Sequence, residues 1–279
     1  MSVLVTGGSG FLGTHLRKLL NADDFSRRTG NDILNLQDVA RVRDYDVVIH
    51  LAAHLDKTPE AAEQVFLTNV EGTVNLLREV KKDAVFIFAS TKDVYAGFAD
   101  KYPEVPESCE TLYAGQSALE WSKLIAERYV EYYAAQRGFR SCIFRLSTVY
   151  AKPDEDNTPN FPSAYAEAIN KGEPIRLPAG GKPVRDLLHV SDLASACDKF
   201  VSSAIRHGLY NLGGGKKMAL TLDDLVKNLE EASGLQAVLS DEVLPAPTPM
   251  RYISDLSLVS QELDWEAEVD LKDGLRSLF

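Results

Sequence analysis

Apolar, β-branched runs recur along the chain at 2–6, 46–52, 84–89 and 140–146, with a further run at 208–212. Between them apolar positions fall at helical spacing over 11–20, 59–81 and 117–136. Strand alternating with helix predicts a parallel sheet covered on both faces. A second strand belongs at 23–29, where few apolar residues support it. Past residue 150 the texture changes: Pro153, Pro159, Pro162, Pro174, Pro178 and Pro183 cut the chain into short pieces. Segment 188–212 reads as a helix and then a strand that rejoins the sheet. Helical patterns follow at 221–233 and 254–263, joined through Pro245, Pro247 and Pro249. The expected fold is α/β. A doubly wound parallel sheet takes residues 1–150 and 186–213, and a smaller, discontinuous C-terminal lobe takes 151–185 and 214–279.

The first strand runs straight into Thr6-Gly7-Gly8-Ser9-Gly10-Phe11-Leu12-Gly13. Gly7 permits a tight turn, Gly10 lets backbone approach a pyrophosphate, and Gly13 lets the following helix lie close to the strand. The amides near Phe11 and Leu12 then face the anion from a helix N-terminus. This is the layout of a dinucleotide site. The third strand ends in Leu51, Ala52 and Ala53, small enough at its last positions for a ligand to lie close.

Composition narrows the partners. Lys and Arg number 30 against 41 Asp and Glu, a net charge of −11, which argues against nucleic acid and anionic membranes. An anionic substrate then needs a local basic pocket. Three cysteines, Cys109, Cys142 and Cys197, form no C-x-x-C pair and imply inert thiols in a reducing compartment. No stretch has the length of a membrane span, and the first strand begins at residue 2, so a cytoplasmic location is expected. The expected partner is a small molecule, with a homodimer left open.

Motifs in order along nearly the whole chain resemble the extended short-chain dehydrogenase/reductase family of nucleotide-sugar epimerases, dehydratases and reductases. They are the glycine turn, Asp32-Ile33, His50-Leu51-Ala52-Ala53, Asn69-Val70-Glu71-Gly72-Thr73 and Phe88-Ala89-Ser90-Thr91-Lys92-Asp93-Val94-Tyr95. Ser122-Lys123 with Ala126-Glu127, Arg145-Leu146-Ser147-Thr148-Val149-Tyr150, Arg185-Asp186-Leu187-Leu188-His189, Tyr210-Asn211-Leu212-Gly213 and Arg251 follow. The resemblance implies a Rossmann sheet that binds NAD or NADP and a lobe that binds a nucleotide-sugar. Hydride would pass at a sugar carbon, usually C4, in epimerisation, dehydration or ketone reduction. Asp32 and Ile33 would frame the adenine, Leu51, Ala52 and Ala53 line the coenzyme, and Asn69 steady the strand ends. Thr91 takes the catalytic Ser/Thr position and Lys123 that of the active-site lysine, which also reaches the nicotinamide ribose. Thr148 stands at a substrate-contacting position, and Arg185 and Arg251 at those of the diphosphate arginines.

One position departs from the family. Its lysine closes a Tyr-x-x-x-Lys pair, one helical turn apart, in which the ammonium lowers the phenol pKa for proton exchange with the sugar. Here the residue four before Lys123 is Leu119, which cannot transfer a proton. Another group can supply it, with Tyr113 the candidate ahead of Tyr95, Glu120 or a water. The chemistry can be redirected to a step that needs no acid there. Or the protein binds coenzyme and ligand without turnover, an impaired relative on the same fold. Helical spacing puts Glu120 off the Lys123 face, a solvent-facing position.

Arg27-Arg28 follows the second strand, where an acid selects NAD and an arginine pairs with the 2′-phosphate of NADP. This favours NADP, unless both arginines are simply solvated. Asp32 lies at the spacing of the ribose acid, yet Ile33 after it favours the adenine role. His50 and His54 straddle a strand end rather than one helix face, so no metal site is expected. His189 reads as a packing residue.

Overall fold

Strands fall on the apolar runs at 2–6, 46–52, 84–89, 140–146 and 208–212. A computed structural model describes all 279 residues. The strands are β1 (Val3–Thr6), β2 (Asp23–Phe25), β3 (Val47–His50), β4 (Val85–Thr91), β5 (Arg140–Leu146), β6 (Thr148–Tyr150), β7 (Pro174–Ile175), β8 (Val184–His189), β9 (His207–Leu212), β10 (Ala219–Thr221), β11 (Val238–Leu239) and β12 (Arg251–Tyr252). The helices are α1 (Phe11–Leu20), α2 (Leu36–Val39), α3 (Ala62–Phe66), α4 (Gly72–Glu79), α5 (Ala118–Arg137), α6 (Phe161–Lys171), α7 (Val190–Ser202), α8 (Leu222–Ser233), α9 (Ser257–Leu263) and α10 (Leu271–Arg276).

The main sheet has the order β2-β1-β3-β4-β5-β9. Its parallel register carries Thr6 beside His50, His50 beside Phe88 and Phe88 beside Ile143. The chain steps from β1 outward to β2 and then returns to the other side of β1 with β3. That reversal is the switch point at which open α/β sheets bind ligands, beyond the strands' carboxyl ends.

Two expected elements come out differently. The second strand stops at Phe25, because no apolar residue follows it, and Arg27–Thr29 forms a 3₁₀ turn. The helical pattern over 59–81 is divided: α3 passes through a π-helical turn, Leu67–Glu71, into α4. Such turns aim side chains that a regular helix would not.

The chain forms two compact units. The first contains residues 1–94, 111–146 and 194–210, the second 95–110, 147–193 and 211–279. The first is built on a core that includes Leu4, Phe25, Val48, Phe86, Phe88 and Ile143 from the sheet and Leu76, Ala126 and Val130 from α4 and α5. The second buries Tyr150 and Leu187 against Ile169, Leu225, Leu229 and Leu275. In it β8 pairs with β6, β10 and β12. All three cysteines are buried and none forms a disulfide, and no helix is long and apolar enough to cross a membrane.

Candidate active site

The glycine turn closes on itself. Gly7 has a left-handed φ of +69°, and a Cβ there would stand 2.8 Å from the Ala52 backbone nitrogen. A Cβ on Gly13 would collide with the Gly7 carbonyl, and one on Gly10 would crowd it at 3.1 Å. Gly10 is also the N-cap of α1 and brings no side chain to cap it. The first amides of α1 therefore keep their donors for another acceptor.

His50 fixes the floor beneath this turn. Its Nδ1 lies 2.6 Å from the Thr6 hydroxyl and its Nε2 lies 2.8 Å from that of Thr73. Thr73 gives its own proton to the Asn69 carbonyl at 2.6 Å, so His50 must donate from Nε2 and accept at Nδ1. Burial, with the positive charge of Lys123, brings the imidazole down to about 3 and keeps it neutral. It is a brace between β1, β3 and α4, with both ring nitrogens engaged by threonine hydroxyls.

Asn69 sits in the π-helical turn, fully buried. Its amide accepts from His54 N at 2.7 Å, donates to His54 O at 3.0 Å and donates to the Ser122 hydroxyl at 2.9 Å. Asp32 accepts from Leu34 N at 2.9 Å and Ile33 is buried against Gly72, so their loop is held on α4. Leu51, Ala52 and Ala53 are partly buried.

Thr91 closes β4, its hydroxyl accepting from Asp93 N at 3.1 Å. Lys123, on α5, is only 5% exposed; its ammonium donates to the Ala89 carbonyl at 2.8 Å and lies 4.8 Å from the centre of the Phe88 ring. Burial brings its amine down to about 8, against the raising charge of Glu127. Leu119, one turn earlier, is buried. Tyr113 is 71% exposed on the preceding loop, stacked on Trp121 with ring centres 6.3 Å apart.

Glu120 does not face solvent as its helical spacing predicted; it is 4% exposed. One oxygen caps α5, accepting from Ser117 N at 2.7 Å, and the other pairs with Lys57 at 2.7 Å. Lys57 also pairs with Asp93 at 3.0 Å, and Asp93 with Lys92. Burial opposes the Asp93 charge, but the two lysines outweigh it and hold the carboxyl well below its usual range. Tyr95, a further candidate proton donor, is buried and donates to Asn211 at 2.6 Å.

At the end of β2, Arg28 donates to the Ser9 carbonyl at 2.8 Å, and Arg27 is exposed. Asp24 was not singled out from the sequence. It accepts from Ser9 Oγ at 2.5 Å and pairs with Arg17 at 3.0 Å, fastening the glycine turn to β2. Its signal was an acidic pair, Asp23-Asp24, inside a sheet strand.

The substrate-contact candidates belong to the second unit. Thr148 is buried on β6. Arg185 is buried on β8, donating to Val184 O at 2.7 Å, Pro249 O at 2.8 Å and Met250 O at 3.2 Å. Arg251 is exposed and donates to Pro103 O at 3.1 Å. Because Arg251 pairs with Val184, and Tyr252 with Arg185, the two arginines leave opposite faces of the ladder. Asp186, also missed, is a buried acceptor for Ser147 Oγ and for Gly215 N and Ser254 N, both at 3.1 Å. His189 packs edge-on to Tyr150, with ring centres 5.3 Å apart.

Known proteins resemble this chain along its length. A family model described as the NAD dependent epimerase/dehydratase family matches residues 3–213. A CDP-paratose 2-epimerase of Salmonella typhi is 28% identical, across 100% of this chain and 98% of that protein. A putative UDP-glucose 4-epimerase of Methanocaldococcus jannaschii is 26% identical, across 98% and 96%. Among solved structures, MoeE5 in complex with UDP-glucuronic acid and NAD superimposes with a TM-score of 0.84. It is 26% identical and is matched over 99% of this chain and 97% of that one.

Proposed function

The chain belongs to the NAD dependent epimerase/dehydratase family, and from that premise we propose that it is an NAD(P)-dependent enzyme that modifies a nucleotide-linked sugar. The observation that carries this reading is the uncapped glycine turn at the β1/β3 switch point, in the same unit as Thr91 and a buried Lys123. The ligands of the relatives named above support a sugar nucleotide as substrate.

The residues fit the coenzyme: a Cβ on Gly7, Gly10 or Gly13 would meet backbone of the turn or of Ala52, so this close anion-binding turn requires glycine at all three. The amides of Phe11, Leu12 and Gly13 hold the diphosphate, Asp32 and Ile33 frame the adenine, and Leu51, Ala52 and Ala53 line the middle. Asn69 keeps the loop after β3 in register with α5. Arg27 and Arg28, which follow β2 ahead of Asp32, support NADP(H) over NAD(H). Bound there, the coenzyme supplies a hydride acceptor or donor for a sugar carbon.

Thr91 donates its hydroxyl to the substrate oxygen, and Thr148 contacts the sugar. Arg251 carries the exposed charge for the substrate diphosphate. Arg185 holds the Pro249–Met250 turn that delivers it. A buried Leu119 favours one second reading, ligand binding without turnover. Mixing the protein with coenzyme and CDP-, UDP-, dTDP- or GDP-linked hexoses separates the two. An altered sugar in the product supports the enzyme, and tight binding with unchanged sugar supports the second reading.

A further inference from the structure

The missing tyrosine leaves the lysine in an environment of its own. Lys123 makes one hydrogen bond, to the Ala89 carbonyl, and otherwise meets the face of Phe88. An ammonium has three donors to satisfy. No carboxylate reaches it. Glu127, one turn along α5, gives one oxygen to Ser90 at 2.5 Å and to Arg145 Nε at 3.0 Å, and the other to Arg145 Nη2 at 2.7 Å. Glu120 is occupied by Ser117 and Lys57. His50, from β3, is neutral and locked between two threonines. One helical turn earlier, where the family has its tyrosine, stands the apolar Leu119. Desolvated in this way, a lysine gives up its proton near neutrality, which makes it an acid–base group.

Resting on the function proposed above, we propose that Lys123 is itself the proton-transfer group of this enzyme, in the role the family gives to tyrosine. The neutral amine takes the proton of the sugar hydroxyl while the carbinol C–H bond breaks and its hydride passes to the oxidised coenzyme. The alcohol becomes a ketone and the amine an ammonium. In the reverse direction the ammonium returns the proton to the oxygen as hydride returns to carbon. Proton, hydride and charge balance with no further reactant. The rival phenols are less suited: Tyr95 donates to Asn211, and Tyr113 stacks outward on Trp121. The lowered amine, near 8, agrees with this geometry.

The test uses the full chain in two measurements. In the coenzyme-free protein, competitive acylation followed by peptide mass analysis gives the titration of the Lys123 amine directly. Half-protonation near 8 supports the proposal, and a midpoint in the ordinary lysine range above about 10 overturns it. With coenzyme and CDP-, UDP-, dTDP- and GDP-hexoses, hydride transfer is then compared in wild type, Lys123→Arg and Tyr113→Phe. Arginine keeps the charge but cannot release a proton, so K123R should lose roughly 10²–10⁴ in the rate of hydride transfer at saturating coenzyme. The wild-type rate should rise through the same ionisation as the amine. Hydride transfer that survives in K123R, or is lost in Y113F alone, overturns this inference and leaves the proposed function standing. Absence of hydride transfer in the wild type overturns both.

Discussion

Asn69 and Ser122 meet in the interior, amide to hydroxyl at 2.9 Å, and tie the residue beside Lys123 to the loop that follows β3. The same amide satisfies both backbone groups of His54. Asn69→Ala strands these groups and should cost about 1–3 kcal/mol in urea unfolding. It should also weaken coenzyme binding, because α5 and the strand end lose their common register. Unchanged stability and affinity would remove Asn69 from the framework.

The Glu127–Arg145 pair is buried on both sides and crosses from α5 to β5, with Ser90 completing it from β4. Removing one partner leaves a bare buried charge. Arg145→Ala or Glu127→Ala should each lose roughly 3–5 kcal/mol in denaturant titration. The double change Glu127→Leu with Arg145→Met should recover much of that loss, since a hydrophobic pair avoids the desolvation cost. A double variant as unstable as the singles would contradict this account.

His50 titrates near 3 when folded, against 6.5 unfolded. Above 6.5 both states are neutral and the residue costs nothing. As pH falls below 6.5 only the unfolded chain takes the proton, so stability drops until the folded histidine is also protonated. The slope is about 1.4 kcal/mol per pH unit. Unfolding free energies at pH 7 and 5 should therefore differ by about 2 kcal/mol more in wild type than in His50→Gln. Equal differences would show that His50 is not the buried neutral group described here.

The main sheet was legible because apolar runs stop and start sharply around β1, β3, β4 and β5. The glycine turn was legible because three small residues stand where backbone must approach backbone. What escaped the sequence was set by long-range partners. Glu120 lies on a polar-looking helix face, yet Lys57 and Ser117, from outside that helix, let it be buried. The π-helical turn at Asn69 has no pattern of its own, since one extra residue leaves the helical spacing almost intact. Arg185 read as a diphosphate arginine, and its hydrogen bonds to the Pro249 and Met250 carbonyls depend on the pairing of β8 with β12, which no local pattern announces.

Arg28 stands on the Ser9 carbonyl at the edge of the glycine turn. A guanidinium–phosphate contact contributes about 1–3 kcal/mol, so NADPH should bind roughly 5- to 150-fold more tightly than NADH. Isothermal titration of wild type, Arg27→Ala and Arg28→Ala should show this preference falling in the variants. Equal affinity for the two coenzymes in wild type would contradict it.

The central claim is that this chain moves hydride between a sugar nucleotide and its coenzyme. The most direct measurement supplies CDP-, UDP-, dTDP- and GDP-hexoses deuterated on the sugar ring. The coenzyme and sugar are quenched and weighed by mass spectrometry. The account predicts deuterium on the nicotinamide, or moved within the sugar, for at least one of these substrates. Bound coenzyme that stays free of deuterium with every one of them, beside unaltered sugars, would contradict it.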